Sequence, residues 1–320
     1  MEINPKDYCI FVASHISNKE RIPYLTECIG SLINQRMRVY VYISISVSSQ
    51  DVFDNVLIAI KAFVASCDFL NICLQNVKTS QMKHYNYLLD TFGKNHKWIL
   101  FCDDDDTYHI ERTSHFAQCI TKAKEDLRDS DLILGGVYES VDENHKKRRQ
   151  EYWSYMVSID ILNDFYKIVK EEPDIINHKC CDVLFAEYLR RKNNNIVFVQ
   201  IKDHYYNYRI EDNSNSVTAF IKSKQDLYTL NSKPPNKESD EWSGYLENWE
   251  RFVNNNIEIF LHDTFLKTIV GYDIHKIYET EFLDNYVLID SIKNEPLDRI
   301  YSKYSYIRSV CEKLYDVQIV

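Results

Sequence analysis

The chain has 320 residues, 45% hydrophobic and 27% charged, with a formal net charge of -10 at pH 7. That length suits two average domains or one large one with an appendage, and the acidic balance excludes a broad nucleic-acid surface, which needs clustered Lys and Arg. Only six glycines occur, at 30, 93, 135, 136, 244 and 271. None has the spacing of GxGxxG, GxxxxGK or GxSxG, so the dinucleotide loop, the P-loop and the hydrolase nucleophile elbow are absent in their usual forms. Tyr8 to Ser14 (YCIFVAS) reads as a buried strand, followed by a polar stretch and by Leu25, Cys28, Ile29, Leu32 and Ile33 at helical spacing within Ile22 to Gln35. Val39–Val47 is a second strand and Asp51–Ser66 a helix; Phe69–Leu74 is a third strand and Lys83–Phe92 a helix. Trp98–Cys102 (WILFC) is a fourth strand that ends in four aspartates, before a helix over Ile110–Leu127 and a strand over Leu132–Val137. Residues 154–169 read as strand or helix, 179–192 as helix, Ile196–Ile201 as strand, and 205–208 as a tyrosine-rich run. Ser232–Glu241, with Pro234-Pro235, reads as a linker, and Trp242–Val320 as mostly helical.

Repeated strand–helix alternation is the sequence form of a βαβ wind: an α/β fold with a mostly parallel sheet flanked by helices. Ligands of such sheets bind beyond the carboxyl ends of the strands, where Asp103–Asp106 stand. The nine cysteines form no CxxC pair and there is no HExxH. A disulfide framework and a zinc ribbon are therefore not expected; small buried thiols in a reducing compartment are. No signal peptide and no run approaching the ~18 apolar residues of a membrane span are legible. The expected location is the cytoplasm, either in solution or peripherally at a membrane.

Four adjacent carboxylates after a buried strand repel one another, at about 4 kcal/mol for two charges ~4 Å apart at an effective dielectric near 20. Water, raised pKa values or a cation must offset this, and hard oxygen ligands suit Mn²⁺ or Mg²⁺ shared with phosphate oxygens. The bland alternative is a solvated acidic turn that caps the next helix.

VASHISNKERIPYLTECIGSLINQ resembles the opening of nucleotide-sugar glycosyltransferases of the GT-A fold, particularly glycosyltransferase family 2, with Leu25, Cys28, Ile29, Ser31, Leu32 and Gln35 on the pattern L-x-x-C-I-x-S-L-x-x-Q. KHYNYLLDTFGKNHKWILFCDDDDTY resembles that family's Asn-containing helix, strand and DxD motif. CDVLFAEYLRR (181–191) resembles its acceptor-side acidic helix, and YYNYRIEDNSNS (205–216) its closing segment. The resemblance implies a GT-A-like domain over 1–231, with a donor half to about 137 and an acceptor half beyond, and a helical region of unassigned role over 232–320, a candidate for homo-oligomerisation. It implies Asp103 and Asp105, with Asp106 adjacent, as ligands of Mn²⁺ or Mg²⁺. On the donor side it implies Asp103, Asp104 and Arg209, with Ser14, His15 and Glu20 near the nucleotide. A shifted register would use Asp104 and Asp106. Asp182 falls on the general base of inverting members, although Cys181 replaces the usual Glu, and Glu211 stands where many members carry a metal-binding histidine. The Asp that reads uracil has no counterpart in place: Asp51 is displaced, and Ser46 or Ser48 stands nearer.

The implied activity is transfer of a sugar from a nucleotide-diphosphate donor, a UDP-sugar first, to an acceptor hydroxyl of a glycan, a lipid-linked group or a protein, with inversion. Two other classes compete. Asp103-x-Asp105-x-Thr107 also fits the DxDxT of haloacid-dehalogenase-like phosphatases, although ~100 residues precede it and that family places the strand early. The third reading is a non-catalytic binding protein on the same fold.

Overall fold

The computed structural model describes residues 2–140, 150–192, 195–209, 235–236, 238–271 and 295–316. Two compact units are present, Met1–Arg209 and Ile210–Val320. The expected boundary at 231/232, residues 232–234 and 237 of the expected linker, and Glu211 lie outside the described residues.

In the first unit the elements are β1 (Tyr8–Ile16), α1 (Ile22–Ile33), β2 (Tyr40–Val47), α2 (Gln50–Ser66), β3 (Leu70–Gln75), α3 (Gln81–Phe92) and β4 (Trp98–Asp103). There follow β5 (Thr107–Tyr108), α4 (Arg112–Asp126), β6 (Ile133–Glu139), β7 (Tyr155–Ser158), α5 (Ile159–Val169), α6 (Pro173–Ile176), α7 (Cys181–Arg191), β8 (Ile196–Ile201) and β9 (Tyr206–Asn207). Seven strands form one mixed sheet in the order β3-β2-β1-β4-β7-β6-β8. β3, β2, β1 and β4 are mutually parallel; β7 runs antiparallel to both β4 and β6, and β8 is parallel to β6. β5 and β9 make a separate two-stranded ribbon.

β1 and β4 lie at the centre and are apolar at nearly every position because flanking helices bury both their faces. Residues 154–169 are both things their pattern allowed. Tyr155–Ser158 pairs as β7, and the Ser158 hydroxyl then accepts the Ile161 N–H to start α5. β6 needs glycine where β7 crosses it closely: a Cβ at Gly136 would stand 2.1 Å from the Met156 carbonyl oxygen. The neighbouring Gly135 falls at the register shift against β8.

The second unit contains α8 (Glu241–Asn255), α9 (Ile257–Val270) and α10 (Glu295–Tyr315). α9 and α10 pack on one another, with Phe265, Ile269, Ile300, Ile307 and Val310 buried and the Tyr315 hydroxyl donating to the Ile269 carbonyl at 3.1 Å. α9 ends on Gly271 at φ 97°, the left-handed turn that glycine adopts without strain. No helix among the described residues is long and apolar enough to cross a membrane.

Candidate functional site

The β1–β4 register places Ala13 opposite Asp103, so the next residue of β1, Ser14, faces the turn that follows β4. There the Ser14 hydroxyl donates to Asp104 Oδ2 at 2.6 Å, while Arg21 Nη2 donates to Asp104 Oδ1 at 2.8 Å and to Asp105 Oδ2 at 3.3 Å. The chain turns back on itself as the Asp106 N–H donates to the Asp103 carbonyl at 3.2 Å. Asp106 is buried; its Oδ2 accepts the Tyr206 hydroxyl at 2.8 Å and its Oδ1 the Arg209 N–H at 2.7 Å. The described hydrogen bonds of the half-buried Asp103 carboxylate fall on Oδ1 alone, from Gln81 Nε2 at 2.9 Å and from the Tyr152 hydroxyl. Asp105 is engaged only through Oδ2 among the described side-chain contacts.

Desolvation, then the charge of Asp106, pushes the Asp103 carboxyl well above the usual carboxylate range. Burial also raises Asp104, against the lowering effect of Arg21, and raises Asp106 to about 6. Desolvation is the largest cause of all three shifts, so the cluster carries its negative charge at a cost that positive charge beside it relieves.

The sequence pattern on α1 has a local purpose. Leu25, Cys28, Ile29 and Leu32 are buried, and the polar members hold the aspartate turn: Ser31 Oγ accepts the Tyr108 N–H at 3.1 Å, and Gln35 Nε2 donates to the His109 carbonyl at 3.0 Å. Gln35 Oε1 in turn accepts the Thr113 N–H at 3.1 Å. Behind the turn, Tyr206 also receives the Asp103 N–H at 3.0 Å, and its ring lies 4.7 Å from the guanidinium of Arg112. Arg112 and Glu139 are fully buried and paired at 2.7 Å, with Arg112 also donating to the Trp153 carbonyl at 2.8 Å.

Arg209 reaches the turn from the other side. Its Nε donates to the Asp105 carbonyl at 2.9 Å, its Nη2 pairs with Glu27, and its guanidinium lies 4.5 Å above the Tyr24 ring. Asp182 sits in the first turn of α7, half-buried, and its charge is one of the causes that raise Asp103. Glu187, the other carboxylate of that helix, is buried and bonded by Arg190 at 2.6 Å and by Arg191 at 3.0 Å, a structural engagement.

At the strand ends beside the turn, His15 pairs in register with Ser46; its Nδ1 is 2.9 Å from Ser46 Oγ and its Nε2 3.2 Å from Ser48 Oγ. Ser44 and Ser46 share one face of β2 and bracket the buried ring of His84 on α3, at 2.7 Å to Nδ1 and 3.0 Å to Nε2. Glu20 is exposed on the short 3₁₀ turn Lys19–Arg21, and Asp51 pairs with Lys19 at 2.8 Å on the surface.

The chain is similar in structure to S. aureus TarS. The full TarS structure is 14% identical at a TM-score of 0.45, with 97% of this chain and 54% of that chain covered, so this chain spans about half its length. TarS residues 1–349 match with 13% identity and the same TM-score, over 97% of this chain and 91% of that one. The mannosyltransferase PcManGT from Pyrobaculum calidifontis, solved with GDP-Man and Mn²⁺, gives 11% identity and a TM-score of 0.45 over 96% and 87%. No family model and no curated protein matches the sequence.

Of the residues expected from sequence, Ser14, Asp103, Asp104, Asp105, Asp106 and Arg209 meet directly at one turn. Asp182 lies within the electrostatic reach of Asp103, and His15 joins the adjoining serine–histidine network. Glu20 does not enter the described contacts of the turn; its neighbour Arg21 does. Sequence reading missed Arg21, Gln81, Tyr152 and Tyr206. Tyr206 carried a signal as part of the tyrosine-rich run before Arg209, whereas Gln81 and Tyr152 carried none.

Proposed function

We propose that the protein transfers a sugar from a nucleoside-diphosphate donor, a UDP-sugar first, to an acceptor hydroxyl, with inversion at the anomeric carbon. One observation carries this reading. The aspartate turn lies beyond the carboxyl end of a central parallel strand, with one oxygen each of Asp103 and Asp105 outside the described hydrogen bonds and Asp182 close by in charge. Oxygen-only donors of raised pKa fit a hard divalent cation, and Asp103 and Asp105 would hold Mn²⁺ or Mg²⁺. When bound, such an ion supplies positive charge against the departing diphosphate. Arg209, fixed by Tyr24, Glu27 and the Asp105 carbonyl, adds a permanent charge on the same side. Asp182 takes the proton of the attacking hydroxyl. Its helix-mate Glu187 is occupied by two arginines and is the poorer base. The hydroxyl belongs to a glycan, a lipid-linked group or a protein.

Calorimetric titration of UDP and GDP, with and without Mn²⁺, tests the reading. One diphosphate should bind only with the metal, and Asp105→Asn should abolish that binding. Unchanged affinity in the variant rejects the site, and phosphate release from simple monoesters would favour the phosphatase instead.

A further inference from the structure

The aspartate turn already carries a cation. Arg21 ends the 3₁₀ turn between β1 and α1, and its guanidinium reaches Asp104 at 2.8 Å and Asp105 at 3.3 Å, both through Nη2. Its Nε is buried and has no hydrogen-bond partner. Nε and Nη2 form one edge of the guanidinium, whose two parallel donors match two oxygens of a carboxylate or phosphate. Here half of that edge is unused. The side chain is 27% exposed, so it has room to turn. Arg209, the other arginine at the turn, is anchored by a carbonyl, a carboxylate and a ring; Arg21 has the aspartates as its side-chain partners.

A divalent ion on the open oxygen of Asp105 would bring two positive charges beside the oxygen that Arg21 holds at 3.3 Å. The guanidinium would then be repelled from Asp105, and a donor diphosphate would offer the paired oxygens its edge lacks. We propose that Arg21 is a built-in counter-cation of the unloaded site, which yields Asp105 to the metal and grips the diphosphate with its Nε–Nη2 edge. Asp104 keeps its Ser14 bond throughout, so the side chain moves about a fixed point. This rests on the glycosyl-transfer reading.

The test separates two equilibria in Arg21→Ala and Arg21→Lys: Mn²⁺ alone, followed by electron paramagnetic resonance, and UDP at saturating Mn²⁺, followed by calorimetry. Arg21→Ala should bind Mn²⁺ about three- to tenfold more tightly, because the competing charge is gone, and UDP about 10- to 100-fold more weakly, the usual worth of a charge-assisted bond. Arg21→Lys keeps the charge but not the edge, so Mn²⁺ affinity should return toward wild type while UDP stays weak. A merely structural arginine would weaken both ligands together in both variants, and that result, or no change in either, overturns the proposal. Asp105→Asn is the control for the underlying reading. If wild type binds Mn²⁺ no better than Asp105→Asn, the reading fails and the proposal falls with it; if wild type binds better and Arg21→Ala shows no opposite shifts, only the proposal fails.

Discussion

Acidification should expose a cost that His84 imposes on the folded state. The ring is fully buried between two serine hydroxyls, and burial, aided by the charge of His15, lowers its pKa to about 4. In the unfolded chain the value is about 6.5. Above the unfolded value both states are neutral and His84 contributes nothing to pH dependence. As the pH falls from about 6.5 to about 4, the unfolded chain binds a proton that the folded protein refuses, so stability drops. The difference of about 2.5 units, at 1.36 kcal/mol each, makes the loss roughly 3 kcal/mol. The aspartates work the other way in an overlapping window. Asp106, raised to about 6, binds its proton more readily folded than unfolded, which adds stability as the pH falls. The raw profile is therefore a mixture, and the difference between wild type and His84→Gln isolates the histidine. Urea unfolding of both proteins at several values between about pH 4 and 7.5 should show the wild-type advantage shrinking by about 1.4 kcal/mol per unit below 6.5. Parallel profiles would show that His84 is protonated in the folded protein and that the serine pair accommodates the charge.

Asp182→Asn should lower turnover by about 10²- to 10⁴-fold, the usual share of a general base, with UDP affinity unchanged because the acceptor side does not hold the diphosphate. Wild-type turnover would remove it from that role. Glu139→Gln leaves the buried Arg112 without its counter-charge and should cost about 3–5 kcal/mol, read from the urea midpoint at constant slope. A loss under about 1 kcal/mol would mean that the three aromatic rings around Arg112 suffice to hold its charge.

The parts of this molecule that could be read from sequence are those whose cause is local. β1 and β4 announce themselves as unbroken apolar runs because both their faces are covered, and α1 by its 3-and-4 spacing. The polar members of the α1 pattern were legible only through family resemblance, since Ser31 and Gln35 act on residues 108, 109 and 113. β7 could not be told from the helix that follows it, because a four-residue apolar strand has no period of its own and its partners lie far off in sequence. In the sequence Glu20 and Arg21 are adjacent charged residues with nothing to set them apart. Only the β1–β4 register, which brings Ser14 beside Asp104, decides which of them faces the turn. His84 sits on a helix face that reads as ordinary core, and its bracketing by Ser44 and Ser46 depends on α3 crossing β2 at that height.

Asp106 is held by Tyr206 and by the backbone of Arg209, partners 100 and 103 positions later in the chain. During synthesis Asp106 therefore leaves the ribosome long before the groups that hold it, and β1 to β4 can pair, with Ser14 and Arg21 already at hand for Asp104, while the Asp106 end of the turn is still loose. Contacts of such long sequence separation form late. The first unit ends at Arg209, so the residue that closes the site is also the last that this unit needs. A nascent chain stopped short of Tyr206 would carry Asp104 with its partners but Asp106 without its own, so the turn would take its full arrangement only with completion of the unit.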